Sequence, residues 1–329
     1  MKYLKNISYL RVFACLGVVC THLGQRLQIT GKAYELTHYM QYGVYLFFIL
    51  SGFLALYTYS AKKYTVWKYW LTRLLKILPV YYAIIIYDFI VHGFFVKDMP
   101  PDPYGLGWLR YVFIIGQYVP GENVWRNLSF TWTIGIFVLF YLLAPLINKL
   151  MKSYRASLVG FAAVFALTEL LNSVYKHFEI DREWFSPLFY IVYFMFGVVA
   201  CRAVQEHKAN NAALLMSLVL LWNFAFSKFQ SLYTVSALFT VILLVSCGME
   251  FKNEFIQKAF SVLDSYSYEI YLGHAVVMDF IDIVAFKAQP LSRPAVFAVG
   301  TAGTVLVSVI LYYGVDIPIN KLLKKCPAG

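Results

Sequence analysis

Ten apolar runs, each close to the twenty residues a helix needs to cross the hydrocarbon core, succeed one another along this chain and constrain its fold more than any other feature. They lie at about residues 7–24, 40–59, 76–96, 128–148, 157–175, 185–203, 211–228, 231–247, 267–287 and 295–315. Inside a bilayer every backbone N–H and C=O must be satisfied within the protein, so only helices or closed barrels cross it, and runs of this length specify helices. The expectation is an all-α, polytopic integral membrane protein with about ten transmembrane helices, forming one membrane domain over residues 1–329. Composition agrees, with 60% hydrophobic, 19% aromatic and 14% charged residues and a mean hydropathy of +0.64, which leaves no room for a large soluble domain.

An even number of spans puts both termini on one side. With the spans alternating, 18 of the 28 Lys and Arg residues fall on the side of the termini and 10 on the other. By the positive-inside bias both termini are expected in the cytoplasm, with His22 toward the outer face. The net charge of +11 is spread over short loops between apolar runs rather than gathered in a patch, which excludes nucleic acid as a partner. Membrane lipids are the expected surroundings.

Cys15, Cys20, Cys201 and Cys247 sit within or at the ends of apolar runs and Cys326 sits in the tail. Without CxxC spacing they support neither a metal site nor a disulfide framework. The start, Met1-Lys-Tyr-Leu-Lys5, imitates a secretory signal, but an apolar region that holds Arg11 and His22 and lacks a small-residue cleavage site reads as a retained first span. Between residues 97 and 127 Pro and Gly exclude a long helix, although Trp108–Tyr118 suits a short interfacial one. Tyr104, Trp108, Tyr111, Tyr118 and Trp125 there suit stacking on a sugar ring, and equally an ordinary aromatic belt.

Ionisable side chains inside spans are costly and mark function by default. Eleven residues of helix rise about 16 Å and turn about 1100°, so Arg11 and His22 fall within about 20° of one another on one face. His22 is the candidate catalytic base and Arg11 part of an anion path toward it; a basic flank and an interfacial histidine are the plain alternative. Lys68, Arg73 and Lys76 gather at the inner start of the third run, where arginine suits bidentate phosphate contacts and anionic lipids account equally for the charge. Ser51-Gly52 in Phe48-Ile-Leu-Ser-Gly-Phe-Leu54 reads as a ligand contact or a helix-packing notch. Ser267, Tyr271 and His274 share a helical face in the ninth run. Asp316 closes the last run, with Pro318 expected to end the helix.

Taken together and in this order, Arg11 with His22, Ser51-Gly-Phe-Leu54, Arg73-Leu-Leu-Lys-Ile-Leu-Pro79, Ser267-Tyr-Glu-Ile-Tyr-Leu-Gly-His274 and Tyr313-Gly-Val-Asp-Ile-Pro318 resemble bacterial membrane acyltransferase family 3. The resemblance covers essentially the whole chain and fits a stand-alone form without an SGNH-type esterase domain. It implies a multi-pass protein of the bacterial cytoplasmic membrane that moves an acyl group, most simply acetyl, from cytoplasmic acyl-CoA to a hydroxyl of an extracytoplasmic glycan or cell-surface polysaccharide. The family's first-span arginine and histidine correspond to Arg11 and His22, and its basic motif before proline to Arg73 and Lys76.

Two positions depart from the family pattern. Many members carry Trp-Ser-Leu-Ser-Val-Glu ahead of Phe-Tyr-Leu, whereas this chain reads Trp132-Thr-Ile-Gly-Ile-Phe137, so the carboxylate is absent or replaced by another acid such as Glu169 or Glu269. The usual terminal glutamate is Asp316.

The expected mechanism holds CoA phosphates on Arg73, Lys76, Lys68 and Arg11. The pantetheine arm, of order 15–20 Å and so comparable to the rise from Arg11 to His22, carries the thioester to the histidine. His22 then deprotonates the acceptor hydroxyl or itself accepts the acyl group. Ser51, Tyr271 or His274 would polarise the carbonyl or orient the base, with Asp316 in support. Acyl-CoA is donor substrate; no permanently bound cofactor and no metal are expected, and no pattern sets an oligomeric state. An O-succinyltransferase, a glycan flippase or transporter, and a scaffold without activity are the alternative readings.

Overall fold

The computed structural model describes residues 5–62, 64–97, 107–115, 132–178, 187–226, 232–249 and 253–325, among which every regular element is helical. In order these are α1 (Lys5–Arg26), α2 (Gly31–Met40), α3 (Gly43–Lys62), α4 (Val66–Ile90, continued by a π-helical turn Val91–Val96), α5 (Leu109–Val112), α6 (Trp132–Leu150) and α7 (Tyr154–His177). They continue as α8 (Pro187–Gln205), α9 (Ala209–Phe226), α10 (Leu232–Gly248), α11 (Glu254–Ser265), α12 (Ser267–Lys287), α13 (Arg293–Leu311, continued by a π-helical turn Tyr312–Asp316) and α14 (Ile317–Lys325).

Seven segments of this all-α polytopic membrane protein are long and apolar enough to cross a membrane, among the described residues. Ala209–Ala225 and Leu232–Gly248 are apolar but shorter. The tenth, α12, has the length at 21 residues but carries Glu269, Asp279, Asp282 and Lys287, so hydropathy alone passes over it. Charge at that depth needs partners, and those partners build the site described below.

Two compact units divide the chain: Met1–Ala14, Val44–Trp70 and Ile136–Ser261 form the first, and Cys15–Gly43, Leu71–Gly135 and Val262–Gly329 the second. In the first unit α3, α6 and α8 run parallel. Phe48 meets Phe137 and Phe194 near one level, while Ser60, Asn148 and Arg202 meet further along, about 12, 11 and 8 residues on in α3, α6 and α8. Small residues let α3 and α8 touch: a Cβ built on Gly197 would fall inside the Ile49 carbonyl and 2.7 Å from the Phe53 amide nitrogen. At the far end buried Arg202 donates to Met151 O, Gln205 Oε1 and Asn148 Oδ1, each at 2.7 Å. Outside the spans, Ser153 caps α7 by accepting the Ala156 amide, and Glu206 accepts the Tyr154 amide at 2.8 Å. That bond, aided by Lys208, holds the Glu206 carboxyl below its ordinary range.

Helix directions in the second unit are read from its contacts in the same way. Cys15 meets Ser267, His22 meets His274 and Arg26 meets Asp282, so α1 and α12 run parallel. Likewise Tyr268 bonds Ile77 O, His92 faces Asp279 and Lys287 bonds Val96 O, so α4 is parallel to α12. Contacts of Gly273 with Ser308 and of Gly303 with Val277 run the other way, so α13 is antiparallel to α12. Leu23, Val277, Met278, Ile281 and Val296 fill the space between α1, α12 and α13. Spans two, four and six pointing one way in the first unit, and spans one, three and nine pointing opposite to span ten in the second, fit the pattern that alternating apolar runs require.

Three helices escape the reading of apolar runs. α2 has no buried residue, α11 is amphipathic with Phe255 exposed and Phe260 edge-on to Tyr9, and α14 carries Lys321. Pro318 does not end a helix, contrary to the expectation: it sits in the first turn of α14, where its missing N–H is tolerated, directly after the π-helical turn. Of the helix expected over Trp108–Tyr118, the described residues 108–115 form the four-residue α5; Tyr104, Tyr118, Trp125 and Cys326 lie outside the described residues.

Candidate active site

The second unit brings three of the residues singled out in the sequence together. The rings of His22 and His274 stack with centroids 5.3 Å apart and an interplanar angle of 26°, and the Tyr271 ring lies 5.9 Å from that of His274. Packing of α1 explains the placement. On one side Gly17 and Gly24 admit α2, whose Thr37 carbonyl accepts the Thr21 hydroxyl at 2.6 Å. On another side Leu23 reaches Gly300 of α13, and Gly273 lets α13 approach the residue next to His274. Helices in this close contact fix the two imidazoles, His274 buried and His22 half-buried.

Hydrogen bonds finish the arrangement. His274 Nδ1 lies 3.3 Å from the Ile270 carbonyl, which only accepts, so that nitrogen carries the proton. The buried Tyr271 hydroxyl shares a 3.0 Å bond with Thr133 Oγ1. His22 Nδ1 lies 3.2 Å from Gln25 Oε1, and among the described residues its Nε2 bonds nothing.

About 7.5 Å back along α12, five residues of helix rise from His274, lies a charged level. Buried Glu269 feels both Lys76 and Asp316 there, and Asp316 accepts from Asn320 Nδ2 at 2.8 Å. Arg73 is one helical turn before Lys76 on α4. Toward the other end of α12, His92 Nε2 stands 3.1 Å from both carboxylate oxygens of Asp279, with Asp88 at 3.9 Å and Tyr87 at 3.5 Å from Asp279. His92, Asp279, Gln25, Arg26 and Asp282 were not legible as functional: their partners are distant in sequence, and only the i, i+3 spacing of His22 and Gln25 offered a local signal.

Arg11, Ser51 and Lys68 belong to the first unit. Ser51 precedes Gly52, whose position against the Phe194 carbonyl makes this segment the packing notch. Phe137 lies among Phe48, Phe194 and Tyr141, with ring centroids at 5.3, 5.6 and 6.3 Å, so an aromatic cluster occupies the place of the family's carboxylate. Of the two acids considered as its replacement, Glu169 is bound by Tyr233 and Asn172 in the first unit, and Glu269 shares the unit of His22. A cleft of about 660 Å³ in the first unit is lined by Trp70, Lys149, Lys152 and Arg202, but Arg202 is there bound to protein acceptors. Among the described residues no group of His, Cys, Asp or Glu is arranged to hold a metal ion.

Comparison with curated proteins and with solved structures finds no match. A family model described as an acyltransferase domain, that of acyltransferase family 3, matches residues 4–313. With nearly the whole of its length covered, the chain belongs to this family and is a membrane acyltransferase.

Proposed function

We propose that this acyltransferase moves an acyl group, most simply acetyl, from cytoplasmic acyl-CoA to a hydroxyl of an extracytoplasmic glycan, with His22 as the base. The observation that carries the reading is the His22–His274 stack inside the membrane-spanning part of a family acyltransferase. A titratable ring at that depth, stacked on one face and with no partner for Nε2 among the described residues, supports a role in proton transfer over one in packing.

Each residue has a role in the reaction. Arg73 and Lys76 hold the CoA phosphates on the side of the amino-terminal ends of α4 and α12, taken as cytoplasmic. Glu269, which feels Lys76, lies about 7.5 Å of helix rise from His274 along α12, a step that a pantetheine arm can span. His22 Nε2 takes the proton of the acceptor hydroxyl as its oxygen attacks the thioester carbonyl; the C–O bond forms, the C–S bond breaks, and the CoA thiolate leaves and recovers the proton from His22. Tyr271, its hydroxyl held by Thr133, donates to the carbonyl oxygen as negative charge builds there. His274 covers one face of His22 and limits its rotation.

Replacing Arg73 and Lys76 together by alanine is expected to raise the dissociation constant for acetyl-CoA about tenfold or more, since a charge-assisted contact is worth about 1.5–3 kcal/mol. Calorimetric titration of the purified protein checks this, and an unchanged constant would place the nucleotide elsewhere. Release of CoA from acetyl-CoA on addition of glycan tests the activity itself: a flippase or an inactive scaffold releases none, and succinyl-CoA in place of acetyl-CoA distinguishes the two acyl groups.

A further inference from the structure

The hydrogen bonds around His22 form a chain that ends on α12. Asp282 accepts from Arg26 Nη2 at 2.7 Å and Nε at 3.3 Å; Arg26 Nη1 donates to Gln25 Oε1 at 3.3 Å; and the same oxygen faces His22 Nδ1 at 3.2 Å. Arginine has only donors, so the side of the Gln25 amide that faces it is the carbonyl oxygen. An oxygen so oriented can only accept from the imidazole, and therefore Nδ1 of His22 carries a proton. In the neutral ring the lone pair is then left on Nε2, the nitrogen that bonds nothing among the described residues.

The fold supports this chain at both ends. α12 supplies His274 to the face of the ring and, eight residues later, Asp282 to the carboxylate end of the bridge. Parallel packing of α1 on α12 keeps both contacts in step. Without Gln25 the two neutral tautomers of His22 would compete, and the one bearing its proton on Nε2 is useless as a base at that edge.

We infer that Gln25 is a positioning residue that fixes the tautomer of His22 with Nε2 as the proton acceptor, and that the Arg26–Asp282 bridge holds the Gln25 amide in the required orientation. The inference rests on His22 being the base, and its first test does not depend on activity. In protein labelled with ¹⁵N-histidine, the ring signals of His22 are assigned by their loss in His22→Ala. Wild-type protein should show a protonated Nδ1 and a bare Nε2 in the neutral form. Gln25→Leu, close in shape but without an acceptor, should move the His22 signals toward a mixture of tautomers, and Gln25→Glu, which keeps an acceptor oxygen, should restore the Nδ1–H form. Gln25→Ala gives the same readout should the leucine perturb the fold.

In the transfer reaction Gln25→Leu should lower kcat about 10–100-fold and leave KM for acyl-CoA unchanged, as expected when the partner that orients a catalytic base is lost. His22 signals that are the same in wild type, Gln25→Leu and Gln25→Ala would overturn the inference, whatever happens to the rate. Full activity of His22→Ala would instead remove the catalytic reading beneath it.

Discussion

His22→Ala is expected to lower the rate of acyl transfer about 10²–10⁴-fold, the range that general-base help from a positioned side chain supplies. The ring stacks on His274 and is half-buried, so truncation removes a proton acceptor and one aromatic contact while the small-residue contacts of α1 with α2 and α13 remain. The variant should therefore fold and still bind acetyl-CoA, since Arg73 and Lys76 are untouched. CoA release by purified protein, measured beside the acetyl-CoA dissociation constant, separates the two effects. A His22→Ala protein that transfers at the native rate would end the assignment of the base. Loss of donor binding along with the rate would assign the histidine to the donor site instead.

Gly197→Ala and Gly52→Ala should be the most damaging substitutions to the fold. A Cβ on Gly197 would overlap the Ile49 carbonyl, and one on Gly52 the Phe194 carbonyl, with further backbone atoms of Phe194 at 2.9 and 3.2 Å. Backbone cannot rotate away as a flexible side chain can, so α3 and α8 must separate and lose the packing of Phe48 on Phe194. Neither glycine has a positive φ, so the constraint is purely steric. Overpacking of this kind is expected to cost at least about 3 kcal/mol for alanine, the upper part of the usual range, and more for leucine. Gly314→Ala, where a Cβ meets nothing within 4 Å, is the control and should be neutral or stabilising by up to about 1 kcal/mol. Thermal unfolding in detergent compares them: equal midpoints for Gly197→Ala and Gly314→Ala would mean that the two helices do not touch as described.

Much of this was visible in the residues alone, for a physical reason. A spanning helix is apolar over most of its length, so hydropathy announces it, and the ten apolar runs of the sequence correspond to ten helices. The Ser51-Gly52 notch was one of two readings open in the sequence, because small residues side by side admit either a neighbouring helix or a ligand. By contrast α2, α11 and α14 lie outside any long apolar run and left no such mark. His22 and His274 were both singled out as intramembrane imidazoles, but their stacking depends on how α1 packs on α12 across 252 residues of chain, which spacing does not encode. Phe137 shows the same boundary. The sequence shows that the carboxylate is missing, and only packing shows that the ring of Phe137 lies with Phe48, Phe194 and Tyr141 in an aromatic cluster. The pairing of His92 with Asp279 joins residues 187 apart and could not be read from either neighbourhood.

Mass spectrometry of the cell-surface glycan from cells with the native protein, without its gene, and with His22→Ala in its place bears on the central claim most directly. The account predicts that the glycan loses one acyl mass in both altered strains and regains it when the native protein is restored. A glycan of unchanged mass in the strain lacking the gene would contradict the proposed acceptor, and an unchanged mass with His22→Ala would contradict the proposed base.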